Sequence, residues 1–301
     1  MLKRIIAIAL VLLFVFGALA GCGKDKDSGG IPIGSDTDDS ENQNEQKLTA
    51  PNGESIILPK TITSVVTVSP AAENIFDELG FSSKVKASYG VDENCTDAII
   101  SAKPDVVIYD IGASIDTDAI KAADIIAIEL PLCKSMADVK KHISFIGNMM
   151  GIRTEEKVKS ITDALNVMQL STSTIKKVSV YFELGYDSET DKYMTIAPYS
   201  YIYEVLSSAG GESIFGVDSG YEGFISVSAD EILAANPAVI FTLGSADDIK
   251  SREGWDSISA VKNEQVYEIE DISPSFVAVD AAQSMHEVLS LILFGEDTEN
   301  K

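Results

Sequence analysis

The sequence predicts an α/β protein of two Rossmann-like lobes joined by one long interdomain helix. Two observations point there. Strand and helix patterns alternate both before and after residues 153–177, and alternating units of this kind build a parallel sheet with helices on both faces. Between them, apolar residues recur at Val158, Ile161, Leu165, Met168 and Ile175, with Thr172 filling the missing step, the three-then-four spacing of one helical stripe. Thr154 is placed to cap this helix, and Glu155 and Glu156 at its start and Lys176 and Lys177 at its end suit the helix dipole. Its weak point is Ser171, Thr172, Ser173 and Thr174, a run of poor helix formers. With 301 residues, 45% of them hydrophobic, the chain can bury two moderate cores.

The N-terminus speaks to location. Lys3 and Arg4 precede an apolar run over residues 5–20, short for a membrane span, and Leu19-Ala20-Gly21-Cys22 follows. That looks like a bacterial lipobox, in which residues 1–21 are a signal peptide and cleavage leaves Cys22 as the lipid-modified N-terminus; a plain secretory signal is the alternative. Residues 22–47 are dominated by Gly, Ser, Asp, Asn and Glu and read as a disordered tether. The expected place is the outer face of the cytoplasmic membrane. There are 47 acidic and 23 basic residues, a net charge of -24, which argues against nucleic acid and against electrostatic adhesion to anionic lipid. Beyond Cys22 the cysteines are Cys95 and Cys133. The location permits a disulfide between them, but sequence alone does not place two Cα atoms within bridging distance, and they read as two buried thiols.

The first lobe, residues 48–152, opens on Pro51-Asn52-Gly53-Glu54 between apolar runs, a hairpin signal. Strands follow at 65–68, 85–88, 105–109 and 125–130, and helices at 71–79, stopped by Gly80, then 95–102, 117–122 and 137–150. The second lobe, residues 178–296, has an alternating strand at 178–182 and a polar hairpin or loop over 185–192. A helix over 199–209 is closed by Gly210 and Gly211, and one over 229–235 is capped by Ser228. Strands at 239–242 and 265–269 and an amphipathic closing helix over 277–294 complete it. Ligands of such sheets bind at the carboxyl ends of the strands. In the first lobe these ends carry Ser69, Tyr89-Gly90 and Asp110-Ile111-Gly112.

Several stretches resemble one family, the vitamin B12 and iron-siderophore type substrate-binding proteins of bacterial ABC importers. They are Val66-Thr67-Val68-Ser69-Pro70, running into a helix that ends Leu79-Gly80, and Ala102-Lys103-Pro104-Asp105-Val106-Val107-Ile108. In the second lobe they are Val227 to Leu233 with Asn236-Pro237, and Gly254-Trp255 with Ala260 to Asn263 before Val266-Tyr267. The resemblance implies two lobes linked by a single helix with limited hinge motion, a monomer working with an ABC permease and its ATPase, and no enzymatic activity. It also implies that one acid on each lobe docks onto the permease. On the first lobe the position falls on Asn74, with Glu73 one residue earlier; on the second it falls on Asp230, beside Glu231.

The loops expected to face the cleft hold Tyr89, Tyr109, Tyr199, Tyr201 and Trp255, with Ser69, Ser200 and Asp271 nearby, a surface suited to a ring-rich ligand held by a few hydrogen bonds. Siderophore binders of the family carry arginines at the cleft, one of them just before the closing helix. Here that stretch reads Ile272-Ser273-Pro274-Ser275-Phe276, so an anionic chelate would lack its counter-charge. The histidines, His142 and His286, sit on helical patterns without a second ligand at metal spacing and read as partly exposed. A ligand that brings its metal already chelated is therefore expected, a corrinoid first, then a neutral ferric siderophore or haem, with no cofactor resident in the protein. A binding or sensor lipoprotein without transport is the alternative. A hydrolase is disfavoured, since a Gly-x-Ser-x-Gly elbow is missing.

Overall fold

The computed structural model describes residues 44–294, all within one compact unit, Asn42–Lys301. Cys22, the signal peptide and nearly all of the tether lie outside the described residues. The chain opens with an antiparallel hairpin, β1 (Glu45–Thr49) and β2 (Ser55–Pro59), whose turn places Gly53 at φ +91°, a conformation glycine adopts without strain. The first lobe then runs β3 (Val65–Val68), α1 (Pro70–Glu78), β4 (Val85–Ser88), α2 (Thr96–Ala102), β5 (Val106–Asp110), α3 (Thr117–Ala122), β6 (Ile126–Leu130) and α4 (Met136–Met149). Its four strands are all parallel, in the order β4-β3-β5-β6. Because side chains alternate along a strand, Val65, Val106 and Ile108 enter the core shared with α1 and α4, while Val66, Val68, Val107 and Tyr109 pack with Ile99 of α2 and Ile120 of α3.

The bridging helix α5 spans Glu155–Thr172, about 27 Å. It stops five residues before the expected end. Ser171, Thr172 and Ser173 each donate their hydroxyl to a carbonyl three or four residues back, Met168 or Leu170, the local bonding by which such residues compete with continued helix. Lys176 and Lys177 accordingly lie beyond the last turn, where Lys177 reaches the Ser207 carbonyl instead. Thr154 takes the N-cap position as expected, but its side chain makes no capping bond. It is buried with its methyl pressed against Gly147 of α4, a position where any Cβ would collide. Glu155 and Glu156 do occupy the first turn. Ile161 and Met168 are buried on the expected stripe, with Val158 and Leu165 packed beside them, and α5 touches α4 of the first lobe and α6 and α10 of the second.

The second lobe comprises β7 (Val178–Asp187), β8 (Lys192–Ile196), α6 (Tyr201–Ala209), β9 (Gly211–Ser213), β10 (Phe224–Val227), α7 (Ala229–Ala235), β11 (Val239–Thr242), α8 (Ala246–Ser251), α9 (Ser259–Lys262), β12 (Val266–Glu268) and α10 (Val277–Phe294). The sheet is mixed, unlike the first. β7, β11 and β12 are parallel, as is β9 beside the start of β7, whereas β8 pairs antiparallel with β7 and β10 antiparallel with β8. The polar excursion is a continuation of β7 into a hairpin. Its strands are held by the ring pair Tyr186–Tyr193, with centroids 4.9 Å apart, and its turn by the Asp187 carboxylate, which accepts from the Glu189 amide and the Thr190 hydroxyl. One apolar core runs through both lobes, from Leu130 and Met136 to Phe182 and Tyr201.

Candidate ligand-binding site

The two lobes meet where the strand-end loops of the first lobe approach the start of α6 and the stretch before α10. Asn74 Nδ2 on α1 donates to Asp271 Oδ2 across the seam at 3.0 Å, and the Met136 amide at the start of α4 donates to Glu204 Oε2 on α6 at 2.8 Å. Lys157 of α5 braces the same junction, donating to the Glu78 carbonyl at 2.9 Å with its ammonium over the Phe276 ring. Tyr201 is buried here, its hydroxyl donating to the Ile272 carbonyl at 2.8 Å and its ring set edge-on to Phe224. Burial pushes the Tyr201 phenol far up, with the negative fields of Asp271 and Asp110 adding to it, so groups from both lobes converge on this point.

Large apolar side chains stand exposed on the surrounding loops: Ile111 (53%) after β5, Leu132 (52%) after β6, Tyr199 (66%) before α6 and Leu243 (40%) after β11. Val167 and Leu170, exposed on α5, lie away from the strand ends. Tyr199 is held at φ +68°, uncommon for a large residue and a strained way to turn a ring outward. Asp110 closes β5 beside Ile111. Burial raises its carboxyl to about 6, opposed by a hydrogen bond from Ser69. Lys134 on the loop after β6 is exposed.

Several expected contacts are scaffolding instead. Ser69 and Ser200 are buried helix caps, accepting from the Ala72 and Tyr203 amides respectively. Tyr109 points into the α2 and α3 face of its sheet, and Tyr89 is half-buried against the same cluster. Trp255, 1% exposed, lies in the second lobe's own core with its ring centroid 6.1 Å from that of Tyr181 and 5.3 Å from that of Tyr193. Of the expected contact residues, Tyr199 and Asp271 remain at the open seam. Sequence reasoning placed Ile111 in a strand-end loop without singling it out as a contact, and passed over Leu132 and Leu243, whose signal was a lone apolar residue just after a strand.

It also passed over Arg252. The guanidinium makes a bidentate pair with Glu183 (2.6 and 2.8 Å), a further bond to Asp248 (2.7 Å), and lies over the Tyr193 and Trp255 rings at 4.8 and 4.7 Å. Its charge is spent inside the lobe. The spacing Asp248 to Arg252 beside a tryptophan was the available clue.

Asp230 is exposed early in α7 without a side-chain partner among the described residues, and Glu73 is likewise exposed on α1. Their neighbours are committed elsewhere. Glu231 closes a capping box with Ser228 and accepts from the Tyr221 hydroxyl, and Asn74 is the seam contact described above. Cys95 and Cys133 are both free and buried. His142, expected partly exposed, is 2% exposed because it shares the inward stripe of α4 with Val139, Ile143 and Ile146. It sits 3.4 Å from the Cys133 sulfur, and burial drives it down to about 4 and the thiol up to about 12, so both are neutral. His286 is half-buried, with Nδ1 2.9 Å from the Ala209 carbonyl. Among the described residues no three acids, histidines or cysteines are grouped to hold a metal ion.

Comparison with known proteins places this geometry. The family described as periplasmic binding protein matches residues 59–272. The uncharacterized ABC transporter substrate-binding lipoprotein YvrC of Bacillus subtilis is 26% identical, with 92% of each chain aligned. The high-affinity heme uptake system protein IsdE of Staphylococcus aureus is 25% identical over 52% of this chain and 57% of its own. Among solved structures, Helicobacter pylori CeuE in complex with nickel and histidine superposes with a TM-score of 0.69 at 16% identity, covering 84% of this chain and 90% of that one, a likeness of fold.

Proposed function

Because the chain belongs to the periplasmic binding protein family, we propose that it captures a metal chelate at the seam between its lobes and delivers it to an ABC importer. The observation that carries the reading is the set of exposed apolar side chains on the strand-end loops of both lobes, Ile111, Leu132, Tyr199 and Leu243, with the polar pair Asn74 and Asp271 at the seam. An apolar body with a few placed polar groups fits such a surface. With Arg252 neutralised by Glu183 and Asp248, an anionic chelate would find no buried counter-charge, which favours a corrinoid, then a neutral ferric siderophore. Haem comes next, supported by the partial likeness to IsdE. The lipobox at Cys22 anchors the mature chain outside the cytoplasmic membrane, and Asp230 and Glu73 are the acids that meet the permease.

Titrating the purified protein with cyanocobalamin, ferrichrome and haem by calorimetry tests the ligand class. Saturable binding of one of them at a single site is expected, and heat of dilution alone for all three would overturn it. Anchoring is tested separately: Cys22→Ser should release the protein from membranes, and a variant still processed and membrane-bound would remove the lipid from the account.

A further inference from the structure

The two hydrogen bonds that cross from the first lobe to the second at the seam differ in kind. Asn74 to Asp271 joins two side chains in the open, and the carboxylate already accepts twice from Ser273. Met136 to Glu204 joins a backbone amide to a carboxylate at 2.8 Å and is partly buried. Met136 is the first residue of α4, where amides have no acceptor within the helix. The local acceptors are taken. The Ser135 hydroxyl accepts from the Asp138 amide, and the Asp138 carboxylate accepts from the Lys134 amide, the Ser135 hydroxyl and the Lys141 ammonium. The Met136 amide is served instead by a carboxylate of the other lobe, at the end of a 14-residue helix whose dipole favours negative charge. Both partners of this bond stand just behind exposed apolar groups. Leu132 precedes Met136 by four residues on the loop into α4, and Tyr199 precedes Glu204 by five on the loop into α6.

We propose that Glu204 is a positioning residue: by holding the start of α4 it sets the spacing between the Leu132 and Tyr199 walls, and with it the size of chelate the protein accepts. This rests on the chelate reading above and deepens it. The apolar core that runs through both lobes holds them together without fixing their angle, because burial has no direction, whereas a hydrogen bond does. With the bond in place, the empty protein already keeps its two walls at the spacing the cargo needs, and little ordering is left for binding to supply. Without it the lobes sample a range of openings. Only a fraction of these is competent, and the apparent affinity falls by that fraction. The Asn74 to Asp271 bond contributes less, since it is exposed and its donor is uncharged.

The spacing is measured first without any ligand. In the full mature chain carrying Cys22→Ser, spin labels on Asp118→Cys of α3 and Asp247→Cys of α8 report the distance between the lobes, both positions being exposed while Cys95 and Cys133 are buried. Pulsed dipolar spectroscopy should give one narrow distribution for this protein and one about twice as wide for Glu204→Ala. Glu204→Gln, whose amide oxygen still accepts from Met136, should restore the narrow one. An unchanged width in Glu204→Ala, or Glu204→Gln as wide as Glu204→Ala, would overturn the inference whatever the cargo is. A lower unfolding midpoint with the narrow distribution retained would count against it equally, as the mark of a merely structural role. Calorimetry with cyanocobalamin, ferrichrome and haem then reads the consequence. For whichever of them binds, Glu204→Ala should weaken affinity roughly tenfold and Glu204→Gln by less than about threefold. A widened distribution with unchanged affinity would overturn the positioning role. Binding of none of the three would overturn the chelate reading, and the role of Glu204 towards cargo with it, while the distances still decide whether Glu204 sets the spacing.

Discussion

Two buried groups in the first lobe pull the stability of the protein in opposite directions over the same pH range. Asp110, ordinarily near 3.8, titrates at about 6, and His142, ordinarily near 6.5, at about 4, both through burial. For Asp110 the folded state keeps its proton longer than the unfolded state, so its contribution is fully present below the unfolded value and is lost as pH rises through about 6. For His142 the unfolded state takes up the proton first, so stability is lost as pH falls from about 6.5 towards 4. Each departure is worth on the order of 2 to 3 kcal/mol, the lower end applying to Asp110, which keeps some solvent contact. The wild type should therefore show a nearly flat contribution from this pair between pH 4 and 6.5, because the two slopes cancel. Removing one partner uncovers the other. Asp110→Asn should be more stable than wild type by roughly 2 kcal/mol at neutral pH, with no gain near pH 4 and a steep loss on acidification. His142→Gln should instead become more stable as pH falls from 6.5. Urea unfolding at half-unit pH intervals measures all three proteins. Parallel stability curves for wild type and Asp110→Asn would refute the placement of that carboxyl in a poorly solvated seam.

Breaking the Glu183–Arg252 pair with Glu183→Gln or Arg252→Met should cost about 3 to 5 kcal/mol in urea unfolding, since either change strands a buried charge or a polar partner. Replacing both with Leu and Met should restore much of that, and additive losses would argue against a coupled pair. Tyr199→Ala should leave stability within about 0.5 kcal/mol but weaken chelate binding by about 1 to 3 kcal/mol. Trp255→Ala should do the reverse, with about 3 to 5 kcal/mol lost from folding, and the opposite pattern in calorimetry and unfolding would return Trp255 to the ligand. Glu73→Lys with Asp230→Lys should abolish uptake in cells while calorimetric binding is unchanged, because both carboxylates are exposed. Lost binding would place them on the ligand's face.

Local periodicity made the scaffold legible. Strands such as Val65–Val68 and Val239–Thr242 are short apolar runs bounded by turn residues, and the Ser228 to Glu231 spacing that makes a capping box is visible in the chain itself. Elements of three or four residues with weak alternation, β9 and β10, were not legible, because partners far along the chain define them. The site was harder for a related reason. Whether Tyr109 meets ligand or core depends on which way the pleat faces, and one residue of register decides it, as its neighbour Asp110 at the seam shows. Trp255 follows a loop of the kind that lines clefts, yet Tyr181 and Tyr193 from the distant β7–β8 hairpin and Arg252 three residues upstream assemble a box that encloses it.

Tyr201 gains a different importance by losing its expected one. Its hydroxyl fixes Ile272, the residue after Asp271, and Asp271 holds Asn74 on α1. The start of α6, the stretch before α10 and the first helix of the other lobe are thus tied in one chain of contacts. Glu73, the exposed acid assigned to the permease, precedes Asn74 directly, so the same short helix carries a seam contact and a docking group one residue apart. A helix packed on its sheet transmits small displacements as a rigid piece. A chelate that breaks or strengthens the Asn74 to Asp271 bond would therefore alter the restraint on α1 beside Glu73, the acid proposed to meet the permease. Occupancy can reach the docking face in this way without a large closure of the lobes, which is the kind of signal a molecule braced by a single bridging helix is able to send.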